Sequence, residues 1–106
     1  RYGTPLYMAP EVARGESHVD ARTDVFGLGH FLFEILTHRQ INQGQDIKEV
    51  ETNLLEKPFP TPRELAPDKD IPLQLEEICL KALQKDRRQR YPSVDSMMDD
   101  LLAYLD

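Results

Sequence analysis

Residues 21–37 read ARTDVFGLGHFLFEILT, the most apolar stretch of the chain. On a helix, Val25, Phe26, Leu28, Phe31, Leu32, Phe33, Ile35 and Leu36 cover most of the circumference, and only Thr23, Gly27, His30 and Glu34 form a narrow polar or small-residue stripe. A helix that is apolar nearly all round is a buried helix. The 106 residues suffice for one modest core, so this segment has to be the pillar on which the others pack. Gly27 and Gly29 each weaken such a helix by about 1 kcal/mol relative to Ala. Their presence points to close approach of another backbone.

The flanking segments also read as helices and loops. Residues 1–9 form a shaped loop, and Pro10 suits the first position of a helix, where its missing N–H costs nothing. "EVARG" then gives about two turns, with Gly15 as the C-terminal cap. Residues 16–20 are a polar connection and 38–46 a polar loop. Asp46 caps a helix over 47–56, with Glu49 as its reciprocal partner; Ile47, Val50 and Leu54 form the apolar side, and Pro58 ends it. Residues 57–71 hold Pro58, Pro60, Pro62 and Pro67 and read as an extended, proline-stiffened connector. Pro72 opens a helix over 73–85, in which Leu75, Ile78, Cys79, Ala82 and Leu83 recur at amphipathic spacing. After a turn at 86–92, Ser93 caps a last helix over 94–105. Its apolar positions are Val94, Met97, Met98, Leu101, Leu102 and Leu105, the two Met acting as core filler. No segment carries the period of a strand, so the expected fold is all-α, one domain around one buried helix.

Composition narrows the functions. A net charge of −6 argues against nucleic acid as a partner, because a duplex repels an acidic surface. The basic knot "KDRRQR" (85–90) reads as a solvated turn with one structural arginine. Cys79, the single cysteine, lies on an apolar face beside Ile78 and reads as a core residue in a reducing, cytoplasmic setting. No apolar run approaches the ~18 residues of a membrane span. His18, His30 and His38 are scattered, without metal-ligand spacing, and His30 reads as a core or edge histidine. Neither a Ser-His-acid arrangement nor a glycine-rich phosphate cradle is present. Arg1 opens as if in mid-sequence, so the chain reads as cut from a longer one. From the residues alone this is a helical unit, or a piece of one.

Three motifs go further. "GTPLYMAPE" (3–11) resembles the end of the activation segment of eukaryotic-type (Hanks-type) protein kinases, whose closing signature is here Ala9-Pro10-Glu11. "DARTDVFGLGHFLFEILT" (20–37) is similar to the start of that family's central large-lobe helix, with Asp24, Phe26 and Gly29 as the matching residues. "LEEICLKALQKDRRQRYPS" (75–93) is similar to its late helix and the arginine-bearing turn after it, with Lys85-Asp86 and Arg90-Tyr91. The three blocks stand in the family's order and cover nearly the whole chain, closest to the bacterial serine/threonine branch. Three positions depart from the pattern: Gly27 replaces the usual Ser or Ala, His38 stands where a Gly commonly ends the central helix, and Arg87 where a Pro is usual.

The resemblance implies an all-helical subdomain of the kinase large lobe, with residues 1–106 as the C-terminal part of a catalytic domain. The small lobe and catalytic loop would precede Arg1. It implies serine/threonine specificity, with Gly3, Thr4, Pro5 and Leu6 forming the substrate-docking loop. Glu11 and Arg90 are implied as an ion pair fixing that loop to the late helices, and Asp24 as an anchor for the catalytic loop. Phosphoryl transfer needs ATP, Mg²⁺ and residues that the family places upstream. This chain is therefore expected to hold no catalytic, cofactor-binding or metal-binding residue and to be inactive alone. The implied partners are a protein substrate with a Ser or Thr acceptor and the rest of the kinase domain. The competing readings are a pseudokinase and a free-standing helical interaction module.

Overall fold

In the computed structural model, which describes residues 9–16, 20–39 and 46–106, the pillar is helix α2 (Ala21–Thr37). Asp20 caps it, its Oδ1 accepting the Arg22 N–H at 2.9 Å. At the other end His38 adopts left-handed dihedrals, φ 60° and ψ 26°, and its N–H donates to the Glu34 carbonyl at 2.7 Å. Such a residue turns the chain off the helix axis while satisfying a terminal carbonyl. Buried Thr37 fixes the exit: its hydroxyl donates to the Phe33 carbonyl at 2.8 Å and accepts the Arg39 N–H at 3.0 Å. A side chain in the left-handed region costs about 1–2 kcal/mol, part of which a glycine would give back as unfolded-chain entropy. His38→Gly is therefore expected to raise stability by about 0.5–1 kcal/mol, read as a higher urea midpoint. A lower midpoint would sink this account of the cap.

Around α2 stand α1 (Pro10–Ala13), α3 (Ile47–Glu56), α4 (Pro62–Leu65), α5 (Leu73–Ala82) and α6 (Val94–Leu105), with a 3-10 turn at Arg87–Gln89. There is no strand among the described residues. Gly15 follows α1 with φ 77°, a conformation glycine takes without strain. The Asp46 carboxylate accepts the Glu49 N–H at 2.8 Å to start α3, and Ser93 with Ser96 forms the capping box of α6. Three boundaries differ from expectation. α1 is four residues, a single turn rather than about two, because the chain leaves the helix at Arg14 and Gly15. The connector is not extended throughout: Thr61 and Glu64 exchange capping bonds of 2.9 and 3.1 Å, which starts α4 with Pro62 in its first turn. A proline there removes no helical bond, so the cap prevails over proline density. And α5 stops at Ala82 rather than 85, because the Gln84 and Lys85 carbonyls turn inward to the Arg90 guanidinium.

The core lies on two sides of α2. Phe26 and Phe33 pack with Ala9, Leu54, Cys79 and Leu83. Val25 packs with the cluster of Ile78, Ala82, Tyr91 and Met97. Gly29 lets α5 close in: a Cβ there would lie 2.9 Å from the Ala82 Cβ and 3.0 Å from the Leu83 Cγ, whereas one on Gly27 would meet nothing within 4 Å. The close approach is thus of side chains, and at Gly29 only. Cys79 donates its thiol to the Gly29 carbonyl at 3.5 Å. Burial, with the nearby Glu76 charge, pushes that thiol up to about 12, which leaves it unreactive. His30 is buried with its ring 4.9 Å from that of Phe26, and burial lowers its pKa to about 4, so the imidazole is neutral.

α2 is not buried all round. Phe31 is 60% and Ile35 65% exposed, with Leu28 also exposed, and helical spacing puts Asp24 on the same stripe. On α6, Met97 is buried, but Met98, Leu102 and Leu105 face outward, so Met98 is not core filler. α6 packs on α5 and α2 at the edge of the assembly, which leaves its far side bare. No helix among the described residues is long and apolar enough to cross a membrane.

Candidate functional site

Glu11 stands in the first turn of α1, directly after Pro10, so its backbone is fixed and its carboxylate points into the protein. Arg90 follows the 3-10 turn, between two helices whose apolar faces both pack on α2. The two side chains meet as a buried bidentate pair, Nη1 to Oε2 at 2.7 Å and Nη2 to Oε1 at 2.9 Å, across 79 residues of sequence. The remaining N–H groups of Arg90 donate to the carbonyls of Gln84 at 2.6 Å, Arg22 at 3.0 Å and Lys85 at 3.3 Å. All five donors of the guanidinium are thereby satisfied. Its Cζ lies 4.7 Å from the Phe26 ring centre, which adds a cation–π contact. Thr23 donates its hydroxyl to Glu11 Oε2 at 2.7 Å.

Burial alone would raise the Glu11 pKa; the bonds from Arg90, Thr23 and its own backbone, with the Arg90 charge, overcome that and hold it at about 2. The carboxylate is therefore charged at any physiological pH. The arrangement ties three segments together: the end of the opening loop, the first turn of α2, and the turn after α5. It does no chemistry on a ligand; it fixes where residues 9–11 sit.

The other residues singled out from the sequence fall differently. Gly3, Thr4, Pro5 and Leu6 lie outside the described residues. Asp24 is exposed in the first turn of α2 and bonds to no described residue. Of the basic knot, Arg88 is solvated and pairs with Asp86 at 2.9 Å. Lys85 is half-buried and tied down: its ammonium donates to the Lys57 carbonyl and lies 4.7 Å from the Phe59 ring centre. Sequence reasoning missed Thr23 and Phe26 as members of the Arg90 site, and also Glu76, which is buried and accepts the Arg63 N–H of α4 at 2.8 Å. A polar residue in the stripe of α2 facing an acid was the one signal for Thr23. Among the described residues no group of three or more His, Cys, Asp or Glu is placed to hold a metal ion.

Comparison with known proteins bears on this geometry. The protein kinase domain family matches residues 1–102. A protein named tyrosine-protein kinase MasK, from Myxococcus xanthus, is 42% identical over 104 residues, covering 97% of this chain and 16% of its own length. The serine/threonine-protein kinase PknB of Mycolicibacterium smegmatis is 40% identical over 101 residues, 94% of this chain and 16% of its own. The probable serine/threonine-protein kinase PknB of Bifidobacterium longum is 34% identical over 103 residues, 97% of this chain and 14% of its own. The chain thus spans only about a sixth of the length of these curated relatives. An all-helical fold around α2 and a family match over nearly every residue agree, and the chain belongs to the bacterial Hanks-type branch of the protein kinase domain family.

Proposed function

We propose that residues 1–106 are the C-terminal part of the large lobe of a cytoplasmic serine/threonine kinase domain, which transfers the ATP γ-phosphate to a protein Ser or Thr. This part supplies the substrate-docking loop, with Gly3, Thr4, Pro5 and Leu6, and the helices that brace it. The observation that carries the reading is the fully satisfied Glu11–Arg90 pair, which holds the loop's end against the late helices. ATP and Mg²⁺ belong with the glycine-rich and catalytic loops elsewhere in the domain, so no step of phosphoryl transfer is assigned to residues 1–106. The exposed stripe of Asp24, Leu28 and Ile35 on α2 is the surface on which the rest of the domain sits, with Asp24 taking hydrogen bonds from its catalytic loop.

The complete protein, incubated with labelled ATP, Mg²⁺ and a protein substrate, should yield phosphoserine or phosphothreonine. Asp24→Asn should slow that transfer several-fold by loosening the loop it holds. An Asp24→Asn protein as active as the parent would refute the anchoring role. A second reading comes from the relative named a tyrosine-protein kinase: phosphotyrosine as the sole product would favour it over the serine/threonine assignment.

A further inference from the structure

The last helix carries apolar residues on two faces. Met97 packs into the core with Val25, Ile78, Ala82 and Tyr91. Met98, Leu102 and Leu105 stay 42%, 54% and 74% exposed. On a helix of about 3.6 residues per turn these three form one stripe, and Asp95, Asp99 and Asp106 fall in a row along its outer edge. The three aspartates are exposed, and none stands in an ion pair with a described residue. α6 cannot neutralise them itself, because residues 94–106 hold no Lys or Arg. Asp95 and Asp99, four residues apart, repel each other. Asp106 closes the helix at the end where its dipole favours a cation. A bare apolar stripe and an unneutralised acid row both cost free energy in water, and one partner chemistry relieves both.

We propose that this face of α6 docks an amphipathic basic helix of a partner protein. The partner's apolar residues lie on Met98, Leu102 and Leu105, and its lysines or arginines meet Asp95, Asp99 and Asp106. Charges flanking an apolar seam are how paired helices choose partner and orientation. Unbranched Met98 adapts to the shape of the incoming side chains. A second copy of this chain is disfavoured, because it brings the same carboxylates and a net charge of −6. Anionic lipid and nucleic acid are repelled for the same reason. One face of a 12-residue helix is small, so the complex is weak and salt-sensitive. Such docking needs no phosphoryl transfer and is independent of the kinase assignment.

Fluorescence anisotropy on the complete protein tests it, with a fluorescein-labelled peptide of repeated Leu-Ala-Ala-Leu-Lys-Ala-Lys heptads, a second with Glu for each Lys and a third with Ser for each Leu. The lysine peptide should bind about tenfold tighter than either of the others, and added salt should weaken it. Leu102→Gln should weaken binding about tenfold by removing apolar contact. Asp95→Asn with Asp99→Asn should weaken it about threefold and flatten its salt dependence. Asp68→Asn with Asp70→Asn makes the same charge change on exposed residues before α5 and should leave binding unchanged. Every substituted side chain is exposed, so circular dichroism should show the fold of the parent. No binding of the lysine peptide, equal affinity for the glutamate peptide, indifference to the α6 substitutions, or an equal loss in the Asp68 and Asp70 pair would each overturn the proposal. So would self-association in sedimentation, or capture by phosphatidylserine vesicles, that Leu102→Gln abolishes.

Discussion

Arg90→Met is expected to lower the unfolding free energy by about 3–5 kcal/mol, because it leaves the Glu11 carboxylate buried without its partner. The same change strands the carbonyls of Arg22, Gln84 and Lys85, which are satisfied by that guanidinium. Glu11→Gln should cost nearly as much, since a neutral amide leaves the buried cation uncompensated. Exchanging the two charges, Glu11→Arg with Arg90→Glu, should recover little: three carbonyls would then face a carboxylate. The pair also sets a pH window. The folded Glu11 titrates at about 2, below its ordinary 4.5, so its contribution is complete above about pH 4.5 and is lost as pH falls toward 2. Urea unfolding at several pH values should show that acid loss in the parent and a flatter profile for Glu11→Gln. A cost under about 1 kcal/mol for either single change would mean a solvent-screened surface pair and would contradict the buried geometry.

Gly29→Ala should destabilise the chain by about 1–3 kcal/mol, as overpacking does in a close-packed core. The new methyl would sit 2.9 Å from the Ala82 Cβ, and neither α2 nor α5 can yield without moving backbone. Intrinsic propensity pushes the other way by about 1 kcal/mol, so the net sign is itself the test. Gly27→Ala is the internal control: with open space at that position the propensity gain stands alone, and stability should rise by about 0.5–1 kcal/mol. Opposite signs at two glycines separated by one residue would locate the helix contact. Equal effects would mean that α5 does not seat against Gly29.

How much of this was legible in the sequence depends on the range of the interaction. The span of α2 and the caps at Asp46 and Ser93 are local matters of pattern and hydrogen bonding, and they can be read directly. α4 was legible too, through Thr61 and Glu64, but four prolines drew attention away from a cap signature. Nothing local says that Arg90 meets Glu11; the pairing is suggested only by resemblance to a family. The carbonyls that complete the site carry no side-chain signal at all, which is why the early end of α5 was missed. The exposed Leu28, Phe31 and Ile35 show a further limit: periodicity identifies an apolar face but not the element that covers it.

The separation between Glu11 and Arg90 has a kinetic consequence. Closing a chain segment of 79 residues costs about 4 kcal/mol of loop entropy before the first bond forms. α5 and α6, joined by a short turn, can dock on each other far sooner. The pair should therefore assemble after the folding transition state, when α2 and the late helices have already built its pocket. Changes to Arg90 would then leave the folding rate nearly untouched and speed unfolding, and the lifetime of the closed loop end, rather than its rate of formation, would be what this arginine sets.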